Sequence, residues 1–360
     1  MANRLTRKTV ALPPKRAREN KNLPRPRHGG EGWGEGGLQY RLSWSTSHLI
    51  MAQQRGSFMR ASSRLGATLV GGIAVLLWAT LALFTTVAAA IPPFELVGLT
   101  FAVAFLLFLG KWSLGRLRGG APILSHLVQP WQAWLLGVAG LFGYHALYFT
   151  AFAHAPAVDA SLIAYLWPLL LVLFSALLPG ERLRWWHVLG GIAGFAGAAV
   201  LVLQKSESGI EFSAAYSVGY LAALGCAFTW SAYSLLSRRL GKVPSDAVGG
   251  FCGVTAILGL IVHLATEATV WPDTAGWLVI LALGLGPVGI AFFVWDYGVK
   301  RGDIQILGAA AYASPLVSTL LLVAFGRAEA SSGLALACLL IVGGAFLAAK
   351  DIFRRRPGPT

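Results

Sequence analysis

Ten apolar segments, each about twenty residues long, follow one another beyond residue 65 of this sequence. A helix needs about 20 apolar residues to cross the hydrocarbon core of a bilayer. Because lipid offers backbone groups no hydrogen-bond partners, such segments must be helical. The pattern therefore predicts an all-α integral membrane protein with ten transmembrane helices. The predicted helices cover residues 66–90, 94–112, 131–152, 158–178, 185–204, 215–237, 246–266, 274–298, 304–325 and 331–350.

Charge supports this class and also narrows the kind of partner. Only 12% of the 360 residues are charged, whereas a soluble domain carries about 25%. Thirteen of the 29 Lys and Arg residues, but only three acidic residues, lie in the first 65 positions. The basic balance therefore comes from a tail, so we expect no nucleic-acid partner.

The predicted tail, residues 1–65, is rich in Pro, Gly and Arg and has no sustained apolar period. Such a segment cannot bury a core, so we expect it to be disordered. All three methionines lie in it, and we hypothesise that the working protein begins at Met51 or Met59 rather than at Met1. The alternative is a genuine basic tail that lies on anionic lipid.

The distribution of Lys and Arg predicts the orientation. A chain that crosses the membrane ten times has both termini on the same side. If that side is the cytoplasm, 14 of the 16 Lys and Arg residues after residue 65 are cytoplasmic, including those of a basic C-terminus at 351–360. Only Lys205 and Arg327 fall outside. This bias matches the positive-inside rule, so the sequence predicts a multi-pass protein with both termini in the cytoplasm.

The two halves of the apolar region resemble each other at an offset of 147 residues. Ala-Tyr-Leu-Trp-Pro-Leu at 164–169 matches Ala-Tyr-Ala-Ser-Pro-Leu at 311–316, and the same offset sets Tyr148 against Trp295. This predicts two five-helix halves, 66–204 and 215–350. Since five is odd, the second half must enter the membrane from the opposite side. Inverted repeats with a site between them are typical of secondary transporters.

The third predicted helix places Tyr144, His145 and Tyr148 on one face at 100° per residue. Polar tips are costly in hydrocarbon unless they face water or one another, which favours a cavity over simple helix packing. To these three we add tryptophans that lie well inside their helices, Tyr233 on the helical face of Trp230, and Ser314, which the repeat sets against Trp167. The full set is Tyr144, His145, Tyr148, Trp167, Trp78, Trp230, Tyr233 and Ser314.

Several other residues have two interpretations. Pro168 and Pro315 lie at equivalent depth and either only bend their helices or act as gating hinges. His145 is expected to bind a carboxylate or, if protonated, to couple transport to protons. Asp296, four residues before Lys300, is either an ion-pair partner or a proton site. Glu95, Asp159 and His263 are expected to be solvated near the outer surface.

With Ala-Tyr-x-x-Pro-Leu at 164–169 and again at 311–316, the chain resembles the EamA branch of the drug/metabolite transporter superfamily. Tyr-Leu-Trp-Pro at 165–168, together with Tyr144, His145 and Tyr148, is similar to the aromatic amino-acid exporters of the YddG type in bacterial inner membranes. The resemblance covers residues 66 to about 350. It implies efflux of aromatic, and of some other neutral, amino acids from a cavity between the halves.

We therefore predict a secondary transporter or facilitator that exports aromatic amino acids by alternating access, with export of another small metabolite or drug as the alternative. An enzyme is not expected, because the interior offers one histidine without an adjacent acid. A sensor is not expected either, because neither end carries an output domain. The sequence predicts no cofactor and no metal. The expected partners are a small-molecule substrate, namely amino acids such as Trp, Phe and Tyr, and the lipid bilayer; the protein is expected to be a monomer.

Overall fold

The computed structural model describes residues 63–204, 210, 213–324, 329 and 331–351. Nearly all of the predicted tail at 1–65, with the possible starts at Met51 and Met59, lies outside these residues. The basic segment 352–360 also lies outside them.

The described residues form eleven α-helices and contain no strand. In chain order they are α1 Ser63–Ala79, α2 Leu81–Val87, α3 Pro93–Leu117, α4 Trp131–His154, α5 Ala157–Leu177, α6 Trp185–Leu203, α7 Ser217–Arg239, α8 Ala247–Thr266, α9 Thr274–Arg301, α10 Ile304–Ala324 and α11 Ser332–Ala348.

Seven of these helices are long and apolar enough to cross a membrane: α3, α4, α5, α6, α8, α9 and α10. Helices α1 and α11 are apolar but span 17 residues each, and α1 is followed at once by the seven-residue α2. Helix α7 has 23 residues and carries Tyr, Ser and Arg side chains. The chain is thus an all-helical, multi-pass membrane protein.

Glycines allow the closest helix pairs to approach backbone to backbone. Helices α6 and α11 pack together most extensively, and a Cβ atom added to Gly190 would lie 2.5 Å from the carbonyl oxygen of Gly344. Helices α3 and α8 form the next most extensive pair, where a Cβ atom on Gly259 would lie 3.0 Å from the backbone nitrogen of Gly98. Small residues serve this purpose in membrane helices, where apolar side chains gain little by leaving lipid.

Helices α4 and α9 each contain a turn of π-helix, at Ala139–Gly143 and Gly284–Ile290. The offset of 147 residues places the first turn within the second. Both turns are rich in glycine, and the second contains Pro287, which has no N–H group to donate. A π turn leaves backbone carbonyls without their usual helical partners, so it offers acceptors to nearby side chains.

Helices α5 and α10 are interrupted just before their prolines. The α-helical geometry of α5 breaks at Tyr165 and Leu166, and Pro168 then lies in the first turn of the restarted helix. In α10 the break falls at Tyr312, three residues before Pro315. Both prolines therefore begin a helical segment, where the missing N–H group is tolerated.

The expectation that Glu95, Asp159 and His263 are solvated is wrong, because all three are buried, with 4%, 0% and 3% of their surfaces exposed. Each has a specific partner instead. His263 Nδ1 lies 2.9 Å from Glu267, and the Tyr220 hydroxyl donates to Asp159 over 3.0 Å. Glu95 accepts a backbone N–H of the loop after α8 at 3.0 Å. Buried polar groups need such partners, and those of Asp159 and Glu95 lie too far away in the chain to be located from the sequence.

Candidate functional site

Four tryptophans meet in the middle of the helix bundle. Trp78 comes from α1, Trp167 from α5, Trp230 from α7 and Trp295 from α9. All six pairs among them have ring centroids 5.1 to 6.4 Å apart. Edge-to-face and offset arrangements at these distances are favourable for aromatic rings. We call these four residues the tryptophan cluster.

Polar partners fix the orientation of two of these rings. Trp78 Nε1 donates to the carbonyl oxygen of Pro287 in the π turn of α9, over 3.1 Å. Trp295 Nε1 donates to the Ser234 hydroxyl of α7 over 3.0 Å. Because a buried indole N–H needs an acceptor, these bonds hold each ring in one position.

The π turn of α4 likewise supplies a carbonyl oxygen that holds a side chain, here the ring of His145. His145 Nδ1 lies 2.7 Å from the carbonyl oxygen of Leu141, which can only accept, so Nδ1 carries the proton. The His145 ring then packs edge-on against Phe101, with centroids 5.2 Å apart. The π turn of α4 thus positions His145, and the π turn of α9 positions Trp78 of the first half.

The tyrosines predicted on α4 join the tryptophan cluster on one side. The Tyr144 ring lies 5.5 Å from that of Trp230 and stacks at 6.0 Å on Tyr148. Tyr148 in turn lies 4.5 Å from Phe152. Sequence-predicted residues from four helices are therefore brought together as one aromatic surface.

Burial separates the residues of this surface into two groups. Trp230 and Trp295 are 4% and 0% exposed, whereas Trp78, Trp167, Tyr144 and Tyr148 are only half-buried. A ring must retain free surface to contact a ligand. The half-buried rings are therefore the ones with free surface, whereas Trp230 and Trp295 are covered by their neighbours.

Two residues predicted for the site, Tyr233 and Ser314, do not contribute a free ring surface. Tyr233 is 1% exposed and lies 5.1 Å from Trp230, against the backbone of Gly140. Ser314 is half-buried beside the break in α10, and within the described part of the chain no hydrogen bond joins its hydroxyl to the tryptophan cluster.

Sequence reasoning left Trp295 and Ser234 out of the candidate site. The signal for Trp295 was present, because the offset of 147 residues sets it against Tyr148. Ser234 shares the helical face of Trp230, but nothing in the sequence shows that its hydroxyl accepts from an indole of α9.

The break in α5 is bridged by the hydroxyl group of Tyr312. This hydroxyl donates to the carbonyl oxygen of Tyr165 over 3.1 Å and accepts from the backbone N–H of Leu169 over 3.1 Å. In an unbroken helix those two groups would bond to each other. The hydroxyl therefore takes the place of the lost helical bond and joins α10 to α5.

Replacing Tyr312 by phenylalanine is expected to lower the free energy of unfolding by about 1–3 kcal/mol, because a buried carbonyl and a buried N–H lose their partner. The measurement is thermal unfolding of the purified protein. Tyr165→Phe is the matched control, since the repeat relates the two tyrosines and Tyr165 is only half-buried. Equal stability of the two variants would contradict the bridging role.

Asp296 follows Trp295 and forms the ion pair that its spacing suggests. Its Oδ2 atom lies 2.7 Å from Lys300 Nζ, and both side chains are buried. Among the described residues, no three His, Cys, Asp or Glu side chains are grouped as a metal site requires. What the aromatic surface offers is ring faces and tyrosine hydroxyls, which suit a planar apolar ring with a polar edge.

Comparison with known proteins shows which transporters the chain is similar to. The EamA-like transporter family matches the chain twice, over residues 65–203 and 217–350. A protein of Ancylobacter novellus named aromatic amino acid exporter YddG is 52% identical over 286 residues, covering 79% of this chain and 98% of that protein. The exporter of the same name from Escherichia coli K12 is 24% identical over 306 residues, covering 79% and 97%. A solved crystal structure that is 51% identical superposes with a TM-score of 0.75 over 82% of this chain and 100% of that one.

Proposed function

The chain belongs to the EamA-like transporter family, and from that premise we propose that it is a secondary transporter that exports aromatic amino acids by alternating access. The observation that carries the proposal is the 52% identity to an aromatic amino acid exporter along nearly the whole of that relative. The aromatic surface agrees with it, because stacked rings suit the side chains of Trp, Phe and Tyr.

The topology that we propose is ten transmembrane segments in two inverted halves. The family matches each half separately, and the π turns of α4 and α9 and the breaks of α5 and α10 obey the same offset. The helix pairs α3–α8, α5–α10 and α6–α11 join equivalent members of the two halves. Such pairing is expected about a two-fold axis in the membrane plane. In this topology α1 and α2 together form the first span.

The proposed orientation places both termini in the cytoplasm of a bacterial cell, with the protein as a monomer in the inner membrane. The Lys and Arg bias supports it. The tryptophan cluster then lies near the bilayer midplane, where secondary transporters hold their substrates.

Binding is proposed to involve the half-buried rings Trp78, Trp167, Tyr144 and Tyr148, which stack on the aromatic side chain. His145 has its Nδ1 proton bonded to Leu141, so its Nε2 atom is the group left for a polar contact. The breaks before Pro168 and Pro315 are the proposed hinges, since each leaves a helix whose outer and inner parts can tilt separately.

The experiment that tests this function is transport by the purified protein in liposomes. Labelled Trp, Phe, Thr and a sugar nucleotide are supplied in turn, with and without a pH gradient. We expect Trp and Phe to move and the sugar nucleotide to stay outside. Movement of an unrelated solute without Trp movement would contradict the proposed substrate class. Stimulation by the gradient would identify protons as the coupling ion.

A further inference from the structure

Four charged side chains meet at the end of the bundle that carries the arginine-rich loops. Arg64 at the start of α1 lies 2.9 Å from Glu181 Oε2 and 3.0 Å from Asp303 Oδ2. Arg238 at the end of α7 pairs with the other oxygen of Glu181. We call these four residues the inner charge cluster.

The inner charge cluster joins the two halves of the chain. Arg64 and Glu181 belong to the first half, and Arg238 and Asp303 to the second. Arg238 Nη1 also donates to the carbonyl oxygens of Val299 and Gly302 at the end of α9, over 2.9 and 2.8 Å. With these bonds in place, the halves are held together at this end.

A cavity of about 340 Å³ opens beside the cluster. Its charged lining balances three arginines against three acids and is completed by a glycine and a glutamine; the lining residues are Arg64, Gly180, Glu181, Arg182, Arg184, Asp303, Gln305 and Asp351. In the described part of the chain, Arg64 Nε is buried without a hydrogen-bond acceptor. A buried donor of this kind needs a partner that the described residues do not provide.

Tightly packed apolar side chains adjoin the inner charge cluster and belong to the same core as Trp230 and Trp295. Val299, Ile304 and Leu307 are 0%, 0% and 1% exposed. The binding rings on the far side are half-buried. The structure is therefore closed at the arginine-rich end, and an outgoing substrate must open that end to reach the rings.

We infer that this cavity is the loading site for the outgoing amino acid, whose carboxylate pairs with Arg64 and whose ammonium pairs with Glu181 and Asp303, all three of which line the cavity. Arg238 does not line the cavity, and the same exchange releases it from Glu181. These contacts replace the ion pairs of the inner charge cluster, so that loading separates the two halves at this end. The inference rests on the proposed function and adds the site at which the substrate enters.

A zwitterion is the ligand that can make this exchange without leaving a buried charge unpaired. The Glu181 side chain is only 8% exposed, and an unpaired buried carboxylate is strongly destabilising. A substrate with only a carboxylate would take Arg64 and leave Asp303 without its ion-pair partner. One with only an ammonium would do the reverse. The α-amino and α-carboxyl groups of an amino acid supply both partners at once.

A reporter for opening is available directly beside the cavity. Ser175 is fully buried and accepts a hydrogen bond from Gln305, a cavity-lining residue, over 3.0 Å. Ser175→Cys is nearly isosteric. It is made in full-length protein whose three native cysteines are replaced by alanine, and the rate of labelling by a hydrophilic maleimide is measured in lipid nanodiscs.

L-Tryptophan is expected to accelerate labelling of Ser175→Cys, whereas indole, tryptamine and indole-3-propionate, which share its ring, are not. Glu181→Gln is expected to label about tenfold faster without ligand and to lose the response to tryptophan, because one buried partner of the cluster is gone. Arg64→Gln, at a side chain that is 32% exposed, is the second variant in case Glu181→Gln does not fold.

The matched control is Lys111→Gln. Lys111 pairs with Asp246 at the same end of the bundle, between α3 and α8, and neither lines the cavity. This variant is expected to label and to respond to tryptophan as the parent does. The same result for Glu181→Gln and Arg64→Gln would overturn the inference.

Transport of tryptophan in liposomes, measured on the same preparation, separates the two proposals. Transport with no effect of tryptophan on labelling, or with an equal effect of indole, overturns the loading site and leaves the exporter function standing. Absence of both transport and the labelling response overturns both. Both proposals are supported if tryptophan is transported, if tryptophan but not indole accelerates labelling, and if Glu181→Gln loses that acceleration.

Discussion

Trp167→Ala is expected to reduce tryptophan transport about 60-fold. A tryptophan side chain buries about 200 Å², and if half of that area faces the ligand, its loss removes about 2.5 kcal/mol of binding at 25 cal/mol per Å². Trp167 is chosen because it is half-buried and lies within 6.3 Å of the other three cluster rings. The measurement is initial uptake into liposomes at low substrate concentration.

Two further variants isolate the contribution of the ring. Trp131→Ala removes the same side chain at the beginning of α4, where it is 69% exposed and outside the tryptophan cluster, so it should transport normally. Trp167→Phe keeps an aromatic face and should recover a large part of the activity. The site assignment fails if Trp167→Ala folds and transports like Trp131→Ala.

The fold class was predictable because a bilayer imposes one length and one backbone geometry on every crossing segment. Each segment predicted from residue 94 onward coincides with one of the helices α3 to α11, although only seven of these helices are long and apolar enough to cross a membrane. Hydropathy treated residues 66–90 as one span, where the structure has α1 ending at Ala79 and a separate α2. Pro168 and Pro315 signalled the breaks in α5 and α10, but not that the Tyr312 hydroxyl would bridge one of them.

The candidate site was predictable in part, because aromatic residues at mid-membrane depth are few. Depth alone does not show which side of a ring remains free. The structure places Trp230 behind Trp167 and Tyr233 behind Trp230, and this order depends on packing between helices far apart in the sequence. The pairing of Glu181 with Arg64 and Arg238 joins residues 117 and 57 positions apart, and charge counts could not reveal it.

Helices α1 and α9 cross in close backbone contact at Gly71 and Gly298. At this point a Cβ atom added to Gly71 would lie 2.9 Å from Gly298 Cα and 3.0 Å from a methyl carbon of Leu307. A Cβ atom on Gly298 would lie 2.5 Å from Gly71 Cα. These distances are too short for any side chain, so the two backbones touch. On α1 this contact lies seven residues beyond Arg64 of the inner charge cluster.

Gly71→Val is therefore expected to separate α1 from α9. Because overpacking costs about 1–3 kcal/mol, the melting midpoint should fall by about 5 °C. Because alternating access requires each end of the bundle to close, transport should fall more than tenfold. Gly72→Val is the matched control, since nothing lies within 4 Å of a Cβ atom at Gly72. Both variants place the same β-branched residue in the same helix, so any difference between them measures the crossing and not helix propensity. Similar melting and similar transport in the two variants would mean that α1 and α9 do not meet at Gly71.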